Sequence, residues 1–176
     1  MDRKSVEQYQ AEIQQRLVEA SSRFYLVDSK TPDASYQVLW YCPPASRSNT
    51  HPAAVKIDIL LPGATRIHSF NPSRINYGTE DLPVAPLSLV LLHKLQGWSI
   101  HLRSQQSHRH EKHHQDSLDV AQLVPIAARR GVKATDPALS SELVEKAARW
   151  VNRFIMKYPE FRTTRHWRKI GFSTAT

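Results

Sequence analysis

The hydrophobic period of the chain changes within its first sixty residues. Residues 3–21 place apolar side chains at intervals of three and four, which predicts an amphipathic helix. Three short runs follow, 23–27, 35–42 and 55–61, each rich in aliphatic, β-branched or aromatic residues and each followed by polar residues or proline. Because three strands make a thin sheet, helices are expected to cover one of its faces. The pattern therefore predicts a helix followed by a small antiparallel meander.

Beyond Pro86 the pattern becomes helical. One helix is predicted from a single apolar stripe, formed by Leu87, Leu91, Leu95, Trp98 and Leu102. A polar, histidine-rich loop follows, and a second helix is predicted to begin near His113 or His114. Pro125 is expected to kink that helix or to start a new turn, and Gly131 to cap it.

A third helix is predicted with Asp136 as its N-cap and Pro137 at its first helical position. Its buried stripe consists of Leu139, Leu143, Ala147, Trp150 and Phe154, and Pro159 ends it. Residues 160–176 then form a basic, aromatic tail.

The elements together predict the α+β class, with an N-terminal helix, a small three-stranded, mostly antiparallel sheet and a C-terminal helical bundle. Residues 1–83 are expected to form the α/β part and residues 84–176 the basic helical part, with both parts packed as one compact domain.

The charge is confined to the second half of the chain. Residues 1–93 are neutral, whereas residues 94–176 hold 15 lysine and arginine residues against 7 acids, a net charge of +8. This asymmetry suggests an anionic partner, with a nucleotide, RNA or DNA first, and a merely solvated basic surface is the equally open alternative. A single cysteine, Cys42, excludes an intramolecular disulfide and a cysteine-based zinc site. The polar N-terminus and the short apolar runs predict an intracellular protein with no membrane partner.

An aspartate interrupts the apolar stretch "VKIDILLPG", which ends at Pro62-Gly63. Asp58 lies near its centre, and burying an ionised acid is costly unless a partner compensates for it. Asp58 therefore lies either at a solvated strand end or on a site that needs a carboxylate. The period of two places it on the opposite face from Ile57 and Ile59, away from the main helices.

Polar side chains also share helix faces in the second half. Lys112, Asp116 and Asp119 are spaced by four and three, and Lys94 and His101 flank the stripe of the preceding helix. One hypothesis has the trio facing a cleft as catalytic or nucleotide-binding groups. The alternative is structural, with the acids favoured near a helix N-terminus and Lys112 paired with Asp116.

Histidines 108, 110, 113 and 114 form a cluster in the predicted loop. His110 and His114 are four apart, which is a workable metal-binding spacing on a helix, but no cysteine accompanies them. A solvated cluster with incidental metal affinity is the preferred interpretation.

A family resemblance emerges from the order of several segments. "FYLVDSK", "SYQVLWYCPP", "VKIDILLPG", "LPVAPLSLVLLHKLQGWSIHLRS" and "KHHQDSLDVAQLV" resemble fungal proteins of the nucleotidyltransferase superfamily, related to the minimal (MNT) and AbiEii-toxin-like nucleotidyltransferases. The resemblance covers about residues 20–125. It implies that Asp58 is the third of three carboxylates that bind Mg²⁺ and orient a nucleoside triphosphate.

The chain departs from that family in one important respect. It lacks the upstream Gly-Gly turn and the D-x-D pair, which carry the first two carboxylates, so Mg²⁺ binding is doubtful. Asp28 and Asp33 could replace these carboxylates only as residues of a predicted loop. The resemblance thus implies a truncated or catalytically degenerate member, a pseudoenzyme, with a basic surface facing nucleotides or nucleic acid.

Two other functions remain open. One is an active metal-dependent nucleotidyltransferase or nuclease that uses Asp58 with Asp116 and Asp119. The other is a non-enzymatic basic interaction module. For the basic surface, Arg149, Arg153 and Lys157 predict a stripe on the third helix. In the tail, His166, Trp167 and Phe172 are expected to stack on bases.

Overall fold

The computed structural model describes residues 5–30, 36–44, 54–61, 67–68, 73, 76–77 and 83–174. The chain divides into two compact units, residues 1–67 and 68–176. The described residues form five α-helices and a three-stranded antiparallel sheet, with one helix first and the others after the sheet. The predicted α+β class is confirmed, whereas the predicted division after residue 83 stays a prediction.

The first unit begins with helix α1, Val6–Ala20. A capping box starts it: the Gln8 N–H donates to Ser5 Oγ at 3.2 Å, and the Ser5 N–H donates to Gln8 Oε1 at 2.7 Å. None of its side chains is buried, although the helix was predicted from an apolar stripe. The apolar stripe of α1 is therefore only partly shielded from solvent.

The sheet has the order β1-β2-β3, with strands Phe24–Asp28, Gln37–Tyr41 and Val55–Ile57. Leu39 on the central strand lies opposite Leu26 on one side and Ile57 on the other. Directly opposed residues point to the same face, so these three side chains form one aliphatic row. Among the described residues of this unit, Leu39 is the only fully buried apolar side chain.

The third strand is shorter and less buried than the pattern 55–61 predicted. Only Val55–Ile57 pairs with the central strand, and Leu60 is exposed. Beyond the strand, the Ile59 carbonyl accepts a hydrogen bond from Gln10 Nε2 of α1 at 2.7 Å. This carbonyl is therefore paired with a side chain and not with the backbone of a neighbouring strand. Pro62-Gly63, the predicted end of the strand, lies outside the described residues.

The second unit begins with two short antiparallel strands that the sequence did not predict, β4 (Asn76–Tyr77) and β5 (Pro83–Val84). Four helices follow: α2 (Leu87–His101), α3 (Ser107–Arg129), α4 (Ser141–Lys157) and α5 (Thr164–Ile170), with a 3₁₀ turn at Pro159–Phe161. No helix in the described part of the chain has the length and apolar character needed to cross a bilayer.

The core of this unit lies where α2 packs on α3 and α4, and α3 on α5. The α2 stripe is confirmed, because Leu91, Leu95 and Trp98 are fully buried. Trp98 meets Phe154 edge to face at 5.1 Å and donates from Nε1 to the Tyr158 hydroxyl at 3.4 Å. Seventeen of the eighteen buried apolar side chains described belong to this unit.

Helix α3 is longer than predicted. It begins at Ser107, six residues before His113, so the predicted loop is largely helical. Pro125 lies inside the helix and does not end it, although proline removes one backbone hydrogen bond. Gly131 caps the helix as predicted: its φ is 74°, and the following N–H, of Val132, reaches back to the Ala127 carbonyl at 3.0 Å.

Helix α4 begins four residues later than the predicted position of Pro137. Its N-cap is Ser140, whose Oγ accepts the Leu143 N–H at 3.2 Å. Asp136 instead organises the preceding turn, accepting from the Ala138 N–H at 2.9 Å and from Ser88 Oγ at 2.6 Å. The predicted N-cap was therefore wrong, because Asp136 caps a turn with the same chemistry.

The predicted tail is part of the core. Residues 164–170 form α5, and Trp167, Ile170 and Phe172 are buried. The Trp167 and Phe172 rings meet edge to face at 5.6 Å. These two rings therefore pack against each other and are not available to stack on bases, contrary to the expectation from sequence.

Candidate functional site

Asp58 lies at a solvated strand end. It follows the last residue of β3, its side chain is 64% exposed, and its Oδ1 lies 2.9 Å from Lys56 Nζ. Strand alternation places both side chains on the face opposite Leu39 and Ile57. Of the two situations that the sequence allowed, the structure has the solvated one, and exposure removes the cost of burying the charge.

A cleft of about 950 Å³ lies between α1 and the sheet and includes Gln10, Asp28 and Asp58 in its lining. The acids of the lining are Glu7, Asp28 and Asp58. Asp28 accepts from Gln37 Nε2 at 3.0 Å, and Asp58 is paired with Lys56. Hydrogen bonds from the backbone and from Ser5 lower the pKa of Glu7. Asp33 lies outside the described residues. The cleft therefore offers polar groups to a ligand, but not a set of free carboxylates.

Magnesium requires several oxygen ligands in near-octahedral geometry. Within the described ranges, no group of three or more histidine, cysteine or acidic side chains is arranged to hold a metal ion. One exposed carboxylate paired with a lysine does not supply the ligands that this ion needs. Mg²⁺ binding at Asp58 and its catalytic role stay predictions.

Four of the residues singled out from sequence meet where α2 packs on α3. His101 Nδ1 lies 2.6 Å from Asp116 Oδ2, and Lys94 Nζ lies 2.8 Å from Asp119 Oδ2. Lys94 and His101 are two turns apart on α2, and their partners are one turn apart on α3. These two pairs are called the α2–α3 seam.

The two pairs of the seam differ in exposure. The side chains are 27% and 15% exposed for His101 and Asp116, but 44% and 30% for Lys94 and Asp119. The hydrogen bond from Lys94, followed by one from Gln115, holds the pKa of Asp119 below its ordinary value. We expect the more buried pair to show the larger coupling energy, because solvent weakens the exposed pair.

The seam links α2 and α3 through two side-chain pairs, and His101 is the group in it that could act as an acid or a base. A carboxylate that holds one imidazole nitrogen leaves the other for a substrate proton, the arrangement of a general base. The predicted pair between Lys112 and Asp116 is wrong, because Asp116 turns towards His101 and Lys112 is exposed. Catalytic roles for Asp116 and Asp119, and nucleotide binding by Lys94, His101 and Lys112, stay predictions.

The histidine cluster lies on the first turns of α3. The His113 ring is 4.6 Å from that of His110 and 3.9 Å from that of His114. His113 is buried and bonds through Nδ1 to the His110 carbonyl. His108, His110 and His114 are exposed, so the prediction of a solvated cluster holds for these three.

The stripe predicted on the third helix is present on the outer face of α4. Arg149, Arg153 and Lys157 are exposed, and together with Asn152 and Met156 they line an open groove of about 620 Å³. Successive cations are about 6 Å apart along the axis. Met156, which is 78% exposed, adds an apolar side chain to the lining of the groove. This set of three cations is called the α4 basic stripe.

A second group of cations surrounds His166, and Arg129 joins it from outside the predicted basic tail. Burial lowers the pKa of His166, and the positive charges of Arg165, Arg129 and Lys169 lower it further. Arg129 lies at the end of α3, whereas the others belong to α5. Only the packing of α3 on α5 brings them together, and the one signal in the sequence was the excess of basic residues.

Comparison of the chain with protein-family models, with curated proteins and with solved structures finds no match.

Proposed function

We propose that the second unit binds single-stranded nucleic acid through the α4 basic stripe. The observation that carries this proposal is an excess of cations without carboxylate partners. Of the fifteen lysine and arginine side chains in residues 94–176, only Lys94 and Lys146 form an ion pair among the described residues. Phosphates are the natural partners of the remaining cations.

The geometry of the stripe supports a backbone-directed contact. Three cations in a row span about 12 Å of helix, and the groove beside them is open. Lys157 Nζ also lies 5.7 Å from the centre of the Tyr158 ring. The exposed Met156 between the cations supplies an apolar surface for a base. Contacts of this kind go mainly to phosphates, so binding is expected to show little sequence preference.

A relation of this chain to the nucleotidyltransferase superfamily is a hypothesis. A degenerate member without the Gly-Gly and D-x-D segment would keep a surface for nucleic acid and lose the clamp for the triphosphate. Support for an active enzyme is weaker, since Asp58 is paired with Lys56 and each acid of the seam is paired with a base.

The test is binding of an oligouridylate across a salt series, measured by fluorescence anisotropy. Replacing Arg149, Arg153 and Lys157 together by Gln is expected to weaken binding and to reduce the log–log salt slope by about 2, from about 0.7 per contact. Lys146→Gln is the matched control, because Lys146 lies on the same helix but is neutralised by Glu142 at 2.6 Å. The control should leave affinity and slope unchanged.

Two results would contradict the proposal. One is the absence of binding by the wild-type protein at low salt. The other is a triple variant that binds like the wild type, which would leave the stripe as the solvated face of a helix. Deleting residues 160–176 is not a useful test, because the buried side chains of α5 would be lost with the charges.

A further inference from the structure

Two histidine rings of the second unit lie close together, and the proposed function uses neither of them. His93 belongs to α2, and His68 precedes β4 in the same unit. The centres of the two rings are 6.3 Å apart, and the ring planes make an angle of 41°. Both side chains are partly buried. These two residues are called the histidine pair.

The hydrogen bond of His93 decides which of its ring nitrogens carries a proton. Nδ1 lies 3.2 Å from Gln96 Oε1. An amide oxygen can only accept a hydrogen bond, so Nδ1 holds the proton and donates. Burial lowers the pKa of His93 and outweighs the bond to Gln96, which favours the neutral ring. In that ring, Nε2 carries a lone pair.

The Nε2 atom of His93 is buried and has no hydrogen-bond partner among the described residues. A buried acceptor of this kind is satisfied by a proton donor or by a metal ion. Histidines that bind metals ordinarily donate their other N–H to an oxygen, which fixes the tautomer and the orientation of the ring. His93 has this arrangement already, with Gln96 as the acceptor.

The separation of the two rings suits an ion that is bound to both. Zinc lies about 2.0–2.1 Å from an imidazole nitrogen, which places the centres of two ligating rings about 5–6.4 Å apart, depending on the angle at the ion. The observed separation is at the upper end of this range, so a tetrahedral angle requires an approach of about 1 Å. His68 lies outside the helices, and a change of its rotamer can supply that movement.

We propose that the histidine pair binds a divalent transition-metal ion of the zinc class and so ties the chain ahead of β4 to helix α2. Gln96 is a positioning residue that orients the His93 ring. Among the described residues, no third histidine, cysteine or acidic side chain completes the set, so solvent takes the remaining positions. Two ligands are fewer than the three or four of ordinary zinc sites, and we therefore expect micromolar affinity.

The test is calorimetric titration of the tag-free 176-residue chain with Zn²⁺ at about pH 7.5, where an ordinary histidine is neutral. The parent protein of the series carries His108→Gln, His110→Gln and His114→Gln, because these exposed histidines of α3 could bind Zn²⁺ by themselves. It is also the matched control, since it loses three histidines and should keep one Zn²⁺ site. Adding His93→Gln or His68→Gln to this parent should weaken Zn²⁺ binding at least about tenfold.

Two further readouts separate a bound ion from a general change in the fold. Gln96→Leu in the parent removes the acceptor for His93 Nδ1 and should weaken Zn²⁺ binding about 10–100-fold, whereas Gln96→Glu keeps an acceptor oxygen and should bind like the parent. Zn²⁺ should raise the thermal midpoint of the parent but not that of the His93→Gln variant, because an ion that binds the native state stabilises it. Circular dichroism verifies that each variant is folded.

The absence of Zn²⁺ binding by the parent would overturn the site, even if the wild type binds Zn²⁺ through the exposed histidines of α3. A folded His93→Gln variant that binds Zn²⁺ like the parent would overturn it as well. Neither result bears on the α4 basic stripe, because its test measures nucleic acid binding without added metal. The two proposals therefore stand or fall separately.

Discussion

Trp167 provides the sharpest test of the second unit, because the sequence placed it in an exposed tail and the structure places it in the core. Its side chain is fully buried and its ring lies edge to face with that of Phe172. Its Nε1 is also buried, without a hydrogen-bond partner among the described atoms. We therefore expect Trp167→Ala and Trp167→Phe to have very different effects on the free energy of unfolding.

The expected magnitude follows from the buried area. A buried tryptophan removes about 150–250 Å² from water, which at about 25 cal/mol per Å² corresponds to about 4–6 kcal/mol. Large-to-small substitutions of this kind in protein cores cost about 3–5 kcal/mol, and we expect Trp167→Ala to fall in that range. Trp167→Phe keeps an aromatic ring and removes the unpaired N–H, so it should cost less than about 1.5 kcal/mol.

The assay is urea unfolding of the 176-residue chain followed by far-ultraviolet circular dichroism, which does not depend on tryptophan fluorescence. Arg165→Ala is the control on the same helix; its side chain is exposed, and we expect a change within about 0.5 kcal/mol. A loss of less than about 1 kcal/mol in Trp167→Ala would refute the placement of α5 in the core.

Three further predictions concern the seam, the two units and pH. In double-mutant cycles, the pair containing His101 should show a coupling energy of about 1–2 kcal/mol, and the more exposed pair containing Lys94 less than about 1 kcal/mol; equal couplings would contradict the effect of burial. Produced separately, residues 68–176 should give a cooperative thermal transition by circular dichroism, whereas residues 1–67, with one fully buried apolar side chain described, should not. Because the pKa of His166 is lowered on folding from 6.5, the native state binds fewer protons than the unfolded state just below that value. This contribution to stability is complete above about pH 6.5 and declines as the pH falls towards the folded pKa, so unfolding curves of His166→Gln should show a weaker loss in that window.

The candidate residues of the seam show what residue spacing can predict and what it cannot. Lys94 and His101 were chosen because they share a helix flank, and Asp116 and Asp119 because they share a helix face, and the structure joins them across the two helices. The partners could not be read from spacing. The sequence favoured Lys112 for Asp116, because a neighbour four residues away on the same helix is the only partner that periodicity can identify.

What the sequence by itself determined were features set by neighbours within a few residues. These include α1, the positions of the three strands along the chain, the buried stripe of α2, the glycine cap of α3 and the end of α4 before its proline. Each depends on hydrophobic period or on backbone restrictions of single residues, both of which are local.

Only the tertiary structure decided the early start of α3, the passage of α3 through Pro125, the burial of Trp167 and Phe172, and the gathering of cations around His166. A hydrophobic pattern shows which face of an element is apolar, but not which other element will cover it. The segment after Pro159 is short and rich in arginine, so its few apolar residues resembled a solvated tail. Packing of α3 against α5 supplied the covering surface, and contacts between residues so distant in the sequence leave no periodic signal.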